Sequence, residues 1–184
     1  MATAEDTEII ELLQKGETRN HGFNLLMQKY QKRVYWNIRR MVLCHDDADD
    51  VTQSTFIKAW SNIENFNAQS SIFTWLFKIS TNESLNYLAK QKRKSFFSLS
   101  SFEGTLLNKM QSDTYFDGDQ IQVKLQEVLL KLPEKQRLVF NMKYFDEMKY
   151  EEIAEVLETS VGALKANYHH AVTKVEELIK KEFA

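Results

Sequence analysis

Four aspartates, Asp46, Asp47, Asp49 and Asp50, form the densest cluster of possible ligands or proton-transfer groups in the chain. On a helix, Asp46 and Asp50 share a face at i, i+4, an arrangement that could hold a magnesium ion against a diphosphate. That chemistry needs a second aspartate-rich motif and enough protein to enclose the substrate, and 184 residues supply neither. There is no glycine-rich phosphate loop, no Cys/His metal spacing and no nucleophile with an evident base. His169 and His170 are neighbours, about 100° apart on a helix, and so poorly placed to share an ion. The four aspartates suit the start of a helix, where carboxylates meet the positive end of the dipole. The expectation is a protein that is not an enzyme, with no cofactor and no metal.

The elements that carry these residues read as helices. One Pro and five Gly favour long helices over a turn-rich sheet. Phe23, Leu26, Tyr30, Val34, Ile38 and Met41 recur every three or four positions, one face of a long amphipathic helix. A second helix is predicted from near Asp46, burying Val51, Thr55, Phe56, Ala59 and Trp60. Residues 62–71, small and polar, read as a loop. A third helix follows from Ile72 to about Gln91 and ends in Lys90, Lys92, Arg93 and Lys94. Residues 95–118 hold five Ser and two Gly with no sustained period, a stretch uncommonly long for a loop inside one compact domain. Fully extended it could span roughly 80 Å, so two separately placed modules are expected. Its Phe96, Phe97, Leu99, Phe102, Leu106 and Leu107 are too apolar for a free tether, so part of it should dock. The predicted architecture is all-α: two small helical domains, 1–94 and 119–184, joined by a flexible linker over 95–118.

The strongest local signal lies at the C-terminal end. A helix from Asp119 to Lys131 and another from Pro133 to about Phe145 precede a short helix, Tyr150 to Leu157, and a longer one from Ser160 to about Lys180. The last two fit a helix-turn-helix. Ile153, Ala154 and Leu157 face inward from the first, Glu158, Thr159 and Ser160 make the turn, and Ser160 can cap the second. Val161, Leu164, Tyr168, Ala171 and Val175 form the buried stripe of that second helix. Ala163, Lys165, Asn167, His169 and His170 lie opposite, the groups a recognition helix would offer to a major groove. Such helix pairs also occur in proteins that never touch DNA. Glu158 stands where Gly is common, and Lys165 and Lys174 are the helix's fixed cations before its last turn, so this module alone should bind weakly.

The order of the pieces resembles a family. DADDVTQSTFIKAW, a polar loop and SIFTWLFKISTNESLNYLAKQKRK resemble region 2 of extracytoplasmic-function sigma factors, and LPEKQRLVFNMKYFDEMKYEEIAEVLETSVGALKANYHHAVTKVEELI resembles their region 4. The likeness runs from about Phe23 nearly to the end. It implies that Asp49, Asp50, Gln53 and Phe56 dock on core RNA polymerase. It also implies that Phe66, Asn67, Trp75, Lys78, Asn82, Lys90, Lys92 and Arg93 recognise and melt the minus-ten promoter element. Aromatic faces and amides beside a basic groove can hold unstacked bases. Ser160, Ala163, Lys165, Asn167, His169 and His170 would face the minus-thirty-five element. The chain departs from the family pattern in placing Asn167, His170 and Val172 where many relatives have arginines, and Ala163 where they have threonine. In relatives the linker threads toward the polymerase channels, a path that the acids Glu103, Asp113 and Asp117 would fit.

The expected function is thus a sigma factor that directs polymerase to promoters and helps open them. The expected partners are core RNA polymerase, promoter DNA and an anti-sigma factor, and the free protein is expected to be a monomer. The alternative is a free-standing helix-turn-helix regulator that binds DNA without polymerase, which leaves the first 94 residues unexplained. Net charge is −2, with 13 Lys/Arg against 11 Asp/Glu in residues 1–94 and 10 against 12 in 119–184. The acidic start is no secretory signal, no apolar run approaches the ~18 residues that cross a bilayer, and the single Cys44 fits a reducing compartment. A cytoplasmic protein with no membrane insertion is expected.

Overall fold

The computed structural model describes residues 4–94, 99–113 and 120–182, and among the described residues every regular element is helical. Helix α1 (Ala4–Gln14), α2 (Arg19–Val42), α3 (His45–Asn62) and α4 (Ile72–Lys94) form the first bundle. The stripe read on α2 is its buried face: Phe23, Leu26, Tyr30, Val34, Ile38 and Met41 are each at most 8% exposed. No period marked α1 in the sequence. It packs Ile9 and Leu13 into the same core, and a Cβ added at Gly22 of α2 would come 2.9 Å from Cβ of Leu12. The absence of a side chain at Gly22 lets the two helices touch. Tyr30 donates to Asp6 at 2.5 Å, and burial together with that acceptor pushes its hydroxyl pKa up. Asn37 of α2 donates to Ser80 of α4 at 3.1 Å, satisfying two buried polar groups at once.

Leu43 turns the chain out of α2 in the left-handed region, with φ 64°. Cys44 then precedes α3 but offers no side-chain cap. The carboxylate of Asp113, 68 residues away, accepts the free His45 N–H at 2.7 Å instead. The loop before α4 ends on Ser71, whose Oγ accepts the Thr74 N–H at 3.0 Å and so caps that helix.

Helix α5 (Leu99–Gln111) lies inside the stretch expected to be linker. Its Leu106 and Met110 are buried against the first bundle, and Lys109 pairs with Asp47 of α3 at 2.9 Å. The expected docking of apolar linker residues therefore occurs on the chain itself, and a helix replaces the aperiodic tether. Asp113, expected on an extended acidic path, is instead tied to Arg39 at 2.7 Å. Phe96, Phe97 and Asp117 lie outside the described residues.

The second bundle holds α6 (Gln120–Leu130), α7 (Glu134–Phe140), α8 (Tyr150–Leu157) and α9 (Val161–Glu182). Val128, Leu129, Leu132, Phe140, Ala171 and Val175 make a core of their own. Pro133 caps α7 one residue earlier than expected, and α7 widens into a π-turn over Asn141–Phe145. The expected separate placement of the two modules does not hold in this state. Met148, Ile153, Val156 and Leu164 join the apolar cluster that contains Leu76 and Phe77 of α4, because α8 lies along α4.

Candidate polymerase and nucleic-acid interfaces

Three surfaces carry the residues singled out in the sequence. On α3, Val51, Thr52, Thr55, Phe56 and Ala59 are buried, which turns Asp49, Asp50 and Gln53 to the outside. Asp49 is half exposed, 3.5 Å from His45. Phe56 does not share this surface. It is 6% exposed and meets Phe23 edge-to-face with ring centroids 6.3 Å apart, so it braces the helix and offers no contact area. Ile57, 67% exposed, and Trp60, 40% exposed, are the large apolar groups on the open side of α3. Trp60 was expected in the core, but only its edge packs, 5.0 Å from the Phe23 ring centroid.

The second surface joins the 66–71 loop to α4. Trp75, Lys78 and Asn82 fall at i, i+3 and i+7, one face of a helix. Phe66 is folded in, 8% exposed, and its ring lies 5.3 Å from that of Trp75. The polar loop hid this packing from the sequence. Asn67 is exposed and accepts the Gln69 N–H at 3.2 Å, an Asx turn that holds the loop. Lys90, Lys92 and Arg93 are exposed at the far end of α4. Lys78 is partly covered: its ammonium sits 2.7 Å from the carboxylate of Glu158, in the turn between α8 and α9.

The third surface is the helix-turn-helix. Glu158 ends α8 at φ 50°, ψ 48°, and its N–H donates to the Ala154 carbonyl. Ser160 Oγ accepts the Ala163 N–H at 3.3 Å, the expected cap. Ile153 and Leu164 are fully buried, as expected, while Val156 is buried too and Ala154 and Leu157 are only half covered. Ser160, Ala163, Lys165, His169 and His170 are exposed, and the half-buried Asn167 amide donates to the Ala163 carbonyl at 2.9 Å. Lys165 lies 5.8 Å over the Tyr150 ring. Tyr168 packs inward beside Phe140 and Tyr150, where burial raises its hydroxyl pKa. Among the described residues no group of three or more His, Cys, Asp or Glu is placed to hold a metal ion, and no helix is long and apolar enough to cross a membrane.

Residues 26–94 match the family Sigma-70 region 2, and residues 122–175 match Sigma-70, region 4. Together the two cover about two thirds of the chain, in the order expected. The RNA polymerase sigma-H factor of Pseudomonas aeruginosa is 29% identical over 184 residues, covering 96% of this chain and 94% of that protein. The chain belongs to the extracytoplasmic-function sigma factors. The ECF RNA polymerase sigma-E factor of Escherichia coli strain K12 is also 29% identical, over 96% of this sigma factor and 97% of its own length. Among solved structures, CnrH in complex with the cytosolic domain of CnrY shares the fold, with a TM-score of 0.71, 20% identity and coverage of 96% of this chain and 98% of that one. The sigma factor RpoE of Bartonella quintana, solved with the anti-sigma factor NepR, gives a TM-score of 0.68 at 21% identity, covering 86% of this chain and 96% of that one.

This sigma factor is a promoter-specific transcription initiation factor, and sigma factors are non-catalytic. The region 2 match accounts for the residues that a free-standing helix-turn-helix regulator would leave unexplained, so that alternative is not favoured.

Proposed function

We propose that residues 1–94 bind core polymerase and open the minus-ten element, that 119–184 reads the minus-thirty-five element, and that 95–118 spans between them. Asp49, Asp50 and Gln53 dock on the polymerase, with Phe56 bracing their helix from within. The Phe66–Trp75 aromatic pair, Asn67, Lys78 and Asn82 receive an unstacked base, and Lys90, Lys92 and Arg93 follow the phosphates. Ser160, Ala163, Lys165, Asn167, His169 and His170 face the upstream major groove. The observation that carries this reading is the shared face of Trp75, Lys78 and Asn82 on α4, beside an aromatic loop and ahead of a basic helix end.

The chain performs no chemistry itself and uses no cofactor or metal. It works in the cytoplasm as a monomer until it joins polymerase, and an anti-sigma factor holds it inactive, as suits a relative of a sigma factor solved with one. Run-off transcription with bacterial core polymerase tests the reading, using genomic fragments that include DNA upstream of the gene. Discrete transcripts that require the added protein are expected. Neither transcript nor stable complex with core would overturn it.

A further inference from the structure

The surface assigned above to the minus-ten element is not free in this state. Helix α8 lies along α4, and the turn of the helix-turn-helix reaches Lys78 through Glu158 at 2.7 Å. A second tie joins the same two bundles. The Arg40 guanidinium on α2 pairs with the buried Asp146 carboxylate and lies 5.0 Å over the Phe145 ring, while Arg33 donates to the Asp146 carbonyl at 3.3 Å. Between these ties the apolar cluster runs without a break from Leu76 and Phe77 to Met148, Ile153 and Leu164. From these contacts we infer that the free protein is self-occluded: region 4 acts as an internal lid on the promoter-reading face of α4 and must lift before Lys78 can meet DNA.

Two details fit a joint that opens. Nε of Arg40 and Oδ2 of Asp146 are buried with no hydrogen-bond partner among the described residues, so water regains polar groups when the joint parts. Glu158 holds a left-handed φ of 50°, a conformation at which glycine carries no steric cost. The glutamate there supplies a carboxylate to Lys78 that glycine could not. Reach is no obstacle, since the stretch between the bundles could extend roughly 80 Å.

This inference rests on the proposed promoter face of α4, and a zero-length test separates the two. Carbodiimide couples an amine to a carboxylate in direct contact. Treatment of the full-length free protein should give a Lys78–Glu158 isopeptide bond detectable by mass spectrometry, and prior binding of core polymerase should abolish it. The purified cross-linked protein should lose run-off transcription, whereas Glu158→Gln treated in the same way should keep it. No cross-link in the free protein, an equal yield with core bound, or full transcription by the cross-linked species would each overturn the lid. If the untreated protein gave no core-dependent transcript, the polymerase reading would fail and the occlusion of a promoter face with it.

Discussion

The guanidinium of Arg39 lies 2.7 Å from the carboxylate of Asp113, 74 residues further along the chain, and each side chain is only 5% exposed. The same Asp113 oxygen accepts the backbone N–H of His45 at the first turn of α3. One residue of the connecting segment thus neutralises a buried cation of α2 and caps the helix whose next turn offers Asp49 and Asp50.

Removing the cation leaves a buried carboxylate short of its main partner, a loss of about 3–5 kcal/mol. Arg39→Ala should therefore shift the urea unfolding midpoint strongly downward. An unchanged midpoint would mean that the end of α5 is not held on the first bundle in solution.

Gly22 sits inside α2, where alanine would ordinarily stabilise a helix by about 1 kcal/mol. Here an added Cβ meets Leu12 Cβ at 2.9 Å and the Leu13 nitrogen at 3.0 Å, and the second of these is backbone. Overpacking of this kind costs about 1–3 kcal/mol, so Gly22→Ala should lower the melting temperature. Gly16, with nothing near it, serves as the control and should tolerate alanine.

Burial raises the Asp146 carboxyl above its ordinary pKa, against the opposing pull of Arg40 and Arg33. The folded state therefore binds this proton more readily than the unfolded chain, and the contribution of Asp146 to stability falls as pH rises from the ordinary carboxylate value to the raised one. The stability of the wild type relative to Asp146→Asn should decline with rising pH across that window, as read by denaturant unfolding at a series of pH values. A difference that grows with pH would mean the ion pair outweighs burial.

Phe66 packs on Trp75, so truncation to alanine would confuse loss of a base contact with loss of a core residue. Phe66→Leu keeps an apolar side chain at a cost of about 1.5 kcal/mol or less while removing the aromatic face. Permanganate reactivity of promoter thymines should fall markedly, with holoenzyme binding to the closed promoter changed much less. Normal melting would rule out a base-holding role for this ring.

Lys165 is exposed on the recognition face of α9, and its loss removes one phosphate or base-edge cation. Lys165→Ala should weaken holoenzyme binding to promoters that depend on the upstream element and reduce the salt slope by about one. Equal binding at all salt concentrations would place Lys165 outside the interface.

Much of this molecule was legible in its sequence because helices announce themselves locally. The stripe of α2, the Tyr150–Leu157 boundaries and the Ser160 cap follow from periodicity and end signals that need no distant partner. The open sides of α3 and α9 follow in turn, since a buried stripe determines what lies opposite. Phe56 was misread as a contact because a motif position does not reveal burial, and Phe66 because an aromatic in a polar loop can fold back onto a neighbouring helix. Helix α5 was missed because its Leu106 and Met110 show no sustained stripe and find their apolar partners in the first bundle. Only the tertiary structure could bring Asp113 to Arg39, Asp146 to Arg40 and Glu158 to Lys78. Such pairings join groups far apart in the chain, and their geometry depends on how whole helices pack, which no local pattern of residue types encodes.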